Sequence, residues 1–298
     1  MKKIKLSDSL ELSTVVAGCM RVKDAGIDGQ TLRSFVNTCL EMGIDTFDHA
    51  PVYGAGYCEE FFGKEVLSSI SGIRDKVKIV TKAGITLPGQ KNNSHIFYDS
   101  TKKNLQREID DSLKRLRTDY VDLWLLHRPD VLGNPEEIAE ALEQIVASGK
   151  VLNIGVSNYE PEQFDALQSY LKVPLVANQM EFSVKATYNF FNGVIDNAFK
   201  NKIKLMAWSP LGGGSVFKEK ETDGTNLYGC IETIAKNHNV DMDTIMYAWL
   251  MTHPVNFMVI TGTMNPERLK HAVEAAELNL SYDEWYAILA ASRGFDVP

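Results

Sequence analysis

Four side chains that together can move a proton stand along the first half of the sequence: Asp48, Tyr53, Lys82 and His127. A phenol can donate to a carbonyl oxygen, but its ordinary pKa of about 10 makes it slow at neutral pH. A neighbouring ammonium stabilises the phenolate and brings the value down. Lys82 is therefore expected to tune Tyr53, with Asp48 holding the ammonium in place and charged. His127 would orient the substrate carbonyl or share its proton. Protonating a carbonyl oxygen calls for a nucleophile at its carbon, and no activated Ser or Cys pair is evident. Hydride from a nicotinamide meets the requirement: Trp208 would stack on the ring, while Ser157, Asn158 and Gln179 would hold its carboxamide.

Each of these groups comes just after a short apolar run, or at its end. The runs at 13–17, 44–47, 77–80, 121–126, 153–156, 175–178, 203–207 and 257–260 are too short for helices. They read as strands of a parallel sheet buried on both faces. Helical segments separate them: Leu32, Phe35, Val36, Cys39 and Leu40 recur at helical spacing before Gly43, and Leu105, Ile109, Leu113 and Leu116 stripe a helix that starts near Ser100 or Thr101. Asn134-Pro135, Glu160-Pro161 and Asn265-Pro266 each open a further helix. A dinucleotide-binding open sheet would carry a glycine-rich turn after its first strand, whereas Ala17-Gly18-Cys19-Met20-Arg21 has a single glycine. Strand–helix alternation repeated eight times predicts instead an α/β fold of the (β/α)8 TIM barrel type, with extra helices near 241–251 and 282–292. Residues 1–298 read as one domain, and a barrel gathers the residues at its strand ends onto one rim.

Composition excludes disorder and fibrous structure, at 44% hydrophobic and 23% charged residues. With 31 Lys and Arg against 39 Asp and Glu, the net charge of −8 argues against nucleic acid or an anionic membrane as main partner. A small anion in a local basic pocket stays compatible with it. No apolar run approaches the ~18 residues of a membrane span and no signal-peptide core follows Met1, so the expected location is the cytoplasm. Cys19, Cys39, Cys58 and Cys230 are scattered and the six histidines form no H-x-H or H-E-x-x-H, so neither a disulfide framework nor a metal is expected. The expected partner is a small carbonyl compound; no obligate protein partner is evident.

A set of motifs running from residue 18 to about 272 resembles the aldo-keto reductase superfamily: Asp48-x4-Tyr53-Gly54, Lys82, Leu125-Leu126-His127-Arg128-Pro129-Asp130, Gly149-Lys150-Val151-x-x-Ile154-Gly155-Val156-Ser157-Asn158, Asn178-Gln179 and Trp208-Ser209-Pro210-Leu211-Gly212. The ending Gly294-Phe295-Asp296-Val297-Pro298 and His49 after the aspartate look most like a bacterial oxidoreductase branch with a short C-terminal tail. The resemblance implies NADP(H)-dependent reduction of an aldehyde or ketone to an alcohol, with Tyr53 as proton donor, Lys82 and Asp48 as its tuning pair and His127 as orienter. It implies a cofactor extended across the rim, its pyrophosphate against Ser209, Leu211, Gly212, Gly213 and Gly214. The adenosine 2′-phosphate would sit at the helix opened by Asn265-Pro266 and pair with Arg268, with Gly262, Thr263, Met20 and Arg21 completing the contacts. Many relatives carry a lysine where this chain has Thr261-Gly262-Thr263, so a preference for NADPH over NADH rests on fewer charges. The pocket walls are expected from Met20, Arg21, His49, Tyr57 and the 83–99 loop with His95, Phe97 and Tyr98. Two rivals stay open: a Schiff-base aldolase using Lys82, which requires a neutral amine, and a cofactor-binding auxiliary subunit with little turnover.

Overall fold

The computed structural model describes residues 1–91, 93–221 and 226–296. The chain opens with an antiparallel hairpin, β1 (Lys3–Ser7) and β2 (Leu10–Ser13). There follow β3 (Val15–Gly18), α1 (Gly29–Glu41), β4 (Thr46–Asp48), α2 (Tyr57–Phe62), β5 (Lys78–Ala83) and a small pair, β6 (Ile85–Thr86) and β7 (Phe97–Tyr98). Next come α3 (Lys102–Leu116), β8 (Leu123–Leu126), α4 (Pro135–Ala147), β9 (Ile154–Ser157), α5 (Pro161–Tyr170), β10 (Leu175–Glu181) and α6 (Val194–Asn201). The chain continues through β11 (Lys204–Trp208), α7 (Asn226–His238), α8 (Met242–Met251), β12 (Met258–Thr261), α9 (Pro266–Ala275) and α10 (Tyr282–Arg293). The strands close into the expected barrel in the order β3-β4-β5-β8-β9-β10-β11-β12, every neighbouring pair parallel and β12 returning to β3.

Side-chain alternation divides the core in two. Val16, Val80, Leu123, Leu125, Ala177, Met206, Met258 and Ile260 fill the barrel, closed at its lower end by Ile4, Leu6, Leu10 and Leu12 of the hairpin. Phe47, Ile79, Trp124, Leu126, Ile154, Val156, Leu205, Ala207 and Val259 face outward under the helices. Full burial of such a side chain contributes about 1.5–3 kcal/mol, so the two layers together define the barrel. Helix starts follow their sequence signals: the Asn134 and Asn265 side chains accept from the Glu136 and Glu267 amides, both at 2.9 Å.

The structure departs from the sequence reading in three places. The first residues, to which the sequence reading gave no element, form the hairpin, because Ile4, Leu6, Leu10 and Leu12 alternate with the polar residues around them. The 83–99 segment contains the β6–β7 pair, and the segment at 211–225 forms short helical turns over Gly212–Glu221; residues 222–225 lie outside the described ones. Several strands also run on into the polar residues placed after them, so that Asp48, Lys82, Ser157, Gln179 and Trp208 lie within strands. Among the described residues no helix is long and apolar enough to cross a membrane.

Candidate active site

A residue two places beyond an inward one on a strand also points inward. From the interior residues Val16, Val80, Leu125, Ala177, Met206 and Ile260, that step reaches Gly18, Lys82, His127, Gln179, Trp208 and Gly262. Asp48 and Ser157 follow the outward Phe47 and Val156 and complete the ring. One residue from each strand thus forms the top of the barrel interior.

Lys82 is wholly buried. Its ammonium lies 2.9 and 2.7 Å from the Asp48 oxygens, 2.8 Å from the His49 carbonyl and 3.0 Å from the Tyr53 hydroxyl. An ammonium only donates, so the Tyr53 oxygen accepts from it. The phenolic proton is turned elsewhere, to Asp48 Oδ2 at a long 3.4 Å or out to the mouth. Burial by itself would depress Lys82, but the Asp48 carboxylate and Tyr53 outweigh it and hold the ammonium above its ordinary value. That direction is wrong for an amine nucleophile and argues against the Schiff-base rival.

Tyr53 departs from expectation. Burial pushes its phenol up to about 12, the lowering effect of Lys82 being smaller and opposed by Asp48. The group is a fully protonated donor at neutral pH and not a tuned-down one. The His127 ring stands perpendicular to that of Tyr53, with centres 6.3 Å apart. Burial, then the charges of Lys82 and Arg128, hold it well below the usual histidine value, so it is neutral.

Local structure fixes these groups relative to one another. Gly54, Ala55 and Gly56 take successive left-handed conformations, φ 60°, 56° and 92°, which turns the chain sharply from Tyr53 into α2. Glu59, wholly buried in that helix, accepts from the Thr81 hydroxyl at 2.6 Å and from Arg115 Nε at 2.7 Å. The helix behind Tyr53 is thereby tied to the strand that carries Lys82.

Across the ring, Gln179 Nε2 donates to Asp48 Oδ1 at 2.9 Å. The Ser157 hydroxyl donates to the Gln179 carbonyl at 2.8 Å. Asn158 Nδ2 donates to the His127 carbonyl and the Ser157 oxygen at 3.2 and 2.8 Å, and Asn158 Oδ1 accepts from Trp208 Nε1 at 3.1 Å. The polar groups assigned from sequence to a nicotinamide carboxamide are therefore bonded within the rim. Gln179 joins the charge pair, and Asn158, itself left-handed at φ 60°, holds the Trp208 indole.

The β12–β3 side is built differently. Gly18 and Gly262 stand at the tops of neighbouring strands: a Cβ on Gly18 would come within 2.7 Å of the Thr261 carbonyl oxygen, and the Arg21 guanidinium lies over Gly262, 3.6 to 3.7 Å from where its Cβ would stand. Arg21 thus supplies positive charge beside the loop that lacks a lysine. Ser209, at φ 51°, turns the chain into Leu211 and the successive left-handed Gly212, Gly213 and Gly214; a Cβ at Gly213 would meet nothing within 4 Å among the described residues. At the start of α9 the Thr263 hydroxyl accepts from the Asn265 amide at 3.0 Å. Arg268 is exposed and, like Arg21, has no carboxylate partner among the described residues. Met20 is half exposed.

Of the expected pocket walls, His49 is a correction. It is wholly buried, edge-on to Phe62 with ring centres 4.7 Å apart, and neither ring nitrogen has a hydrogen-bond partner. Burial pushes its pKa down to about 3, and it serves the site through its carbonyl. Tyr57 is exposed and stacks on Phe61, while His95 and Tyr98 are exposed on the 83–99 segment. That segment is anchored by Asp130, whose carboxylate accepts from the Ser100 and Leu132 amides at 2.8 and 3.0 Å. Sequence reasoning assigned no role to Arg128, Glu59 or Asp130; Arg128 and Asp130 lie inside a quoted motif, and Glu59 carried no signal apart from its place in a helix.

A closed parallel barrel whose rim gathers a buried lysine–aspartate pair, a tyrosine and a histidine defines a barrel oxidoreductase. Residues 14–293 match the Aldo/keto reductase family, and the chain belongs to it. It is 38% identical over its whole length and that of the relative to the "Uncharacterized oxidoreductase YcsN" of Bacillus subtilis. It is equally, at 38% and with both chains fully covered, similar to the "6-dehydroglucose reductase" of Agrobacterium fabrum. Among solved structures it superposes with TM-score 0.80 and 26% identity on the thermostable aldo-keto reductase Tm1743 bound to epalrestat, covering 98% of this chain and 100% of that one.

Proposed function

We propose that the protein reduces an aldehyde or ketone to an alcohol with a nicotinamide cofactor, NADPH in preference to NADH, and that Tyr53 delivers the proton. The observation that carries this reading is the 3.0 Å contact in which Lys82 donates to the Tyr53 oxygen. The residues present fit the cofactor: the left-handed Gly212, Gly213 and Gly214 expose backbone to a pyrophosphate, a Cβ on Gly213 would meet nothing within 4 Å among the described residues, and Arg21 and Arg268 lack carboxylate partners among the described residues. Trp208 would support the nicotinamide ring, the glycine turn the pyrophosphate, and Arg21 and Arg268 the phosphates. Bound there, the reduced nicotinamide supplies the hydride.

The remaining work falls to the chain. Tyr53 holds a proton at the mouth and donates it to the substrate oxygen as that oxygen becomes an alkoxide, a far stronger base than the phenolate. Lys82, kept charged by Asp48, faces the negative charge then left on Tyr53 Oη. Neutral His127 hydrogen-bonds the same substrate oxygen and directs it to Tyr53. The relative named for 6-dehydroglucose supports a hydroxylated, sugar-type aldehyde as substrate. The place of action in this reading is the cytoplasm, where reduced nicotinamides are kept.

Tyr53→Phe tests the reading. NADPH and NADH oxidation over a carbonyl panel should fall at least ~10²-fold in kcat, while NADPH Kd stays within about twofold. Wild-type turnover in that variant would sink the assignment.

A further inference from the structure

Arg128 stands immediately after His127, at the end of β8, and is half-buried. The guanidinium lies 6.0 Å from the centre of the Trp208 ring, and its charge is felt by His127. Arg33, Arg74 and Arg115 each hold a carboxylate at 2.5 to 2.8 Å; Arg128 holds none among the described residues. Its nearest acid in sequence, Asp130, is occupied by the Ser100 and Leu132 amides. The other charges of the reacting half cancel, because the Lys82 ammonium is matched by Asp48, and His127 is neutral. Arg128 is therefore an unbalanced, partly desolvated cation beside the groups that receive the carbonyl. Such a guanidinium favours a bidentate anion.

β8 lies four strands from β12 in either direction, so Arg128 enters the mouth from the His127 side, opposite the strand that leads to Gly262 and Arg268, and its guanidinium reaches in as far as Trp208. We infer that Arg128 binds an anionic group, a carboxylate or a phosphate, carried by the aldehyde substrate itself. This rests on the carbonyl reduction proposed above and adds to it a substrate class: an aldehyde with a negative charge near its carbonyl.

Matched pairs test it: succinic semialdehyde against butanal for the carboxylate, glyceraldehyde 3-phosphate against glyceraldehyde for the phosphate. The anionic member of at least one pair should show kcat/KM about 10-fold higher or more, mainly through KM, and the advantage should shrink at about 0.5 M salt. Arg128→Gln should lose at least about 10-fold more on that anion than on its neutral partner, and Arg128→Lys should recover part of the difference. Reduction of both members at similar kcat/KM would overturn this inference alone. An Arg128→Gln variant that weakens NADPH as much as the anionic substrate would also overturn it, by assigning the arginine to the cofactor. Absence of reduction of any member with either cofactor would overturn the reaction and this inference together.

Discussion

The two sides of the rim follow opposite plans. From β4 round to β11 the top positions carry side chains, and Asp48, Lys82, Ser157, Gln179, Asn158 and Trp208 are bonded to one another in a continuous set. At β12 and β3 the corresponding positions are glycines, and the nearby Arg21 and Arg268 have no carboxylate partner among the described residues. On the first side the Lys82–Asp48 pair and its hydrogen-bonded neighbours are matched before any ligand arrives, Arg128 excepted, which limits the reorganisation a reaction there would need. The second keeps positive charge unspent, the charge that capture of a phosphorylated ligand would use. In a chain of net charge −8, such capture depends on a few placed arginines and not on a broad field.

The contrast breaks most visibly at Lys82. Lys82→Met removes the charge opposite Tyr53 and leaves the buried Asp48 with Gln179 as its closest donor. We expect kcat to drop about 10³-fold in the NADPH assay. Urea denaturation should show a loss of about 3–5 kcal/mol, the cost of stripping one partner from a buried pair. A variant with unchanged stability would mean that the pair is not closed in solution. On the other side, Arg268→Ala should weaken NADPH about 10-fold and NADH far less, with little effect on the urea midpoint, as nicotinamide fluorescence titration would read. Equal losses for both cofactors would remove Arg268 from the 2′-phosphate.

The smallest expected effect is one of pH. Tyr53, at about 12, stays protonated, His127 stays neutral and Lys82 stays charged between pH 6.5 and 9. Saturated turnover should therefore vary less than about twofold over that range. An inflection near pH 7 would show that His127 titrates as an ordinary histidine. Stability follows the same groups: because the folded Lys82 value is raised above 10.5, its contribution is fully present below that pH and is lost as pH rises through the folded value.

The barrel and the gathering of Asp48, Tyr53, Lys82 and His127 at its mouth were legible because both rest on short-range patterns. Eight apolar runs name the strands, and the polar residues that interrupt them name the rim. The same interruption concealed that Asp48, Lys82 and Gln179 are still strand, since an apolar run stops being counted where the ring begins. What sequence could not show depends on closure. Gln179 reaches Asp48 across 131 positions, and Arg128 finds Trp208 only because β8 and β11 share one mouth. The direction at Tyr53 was misjudged because a nearby charge can be read from residue types, whereas burial needs the packed rim. His49 failed as a wall for a related reason: its ring turns away under Phe62.

The close approach of β3 to β12 at Gly18 also marks the seam where the barrel's first and last strands meet, with the Thr261 hydroxyl bonded to the Val16 carbonyl 245 positions away. Contacts of such separation carry the largest loop-closure cost and form late. On an emerging polypeptide the strands bearing Asp48, Lys82 and His127 are complete long before β12 leaves the ribosome. That seam is thus the last joint of the barrel itself to close, and a ligand bound across it would act on the finished protein as a clasp, slowing its opening.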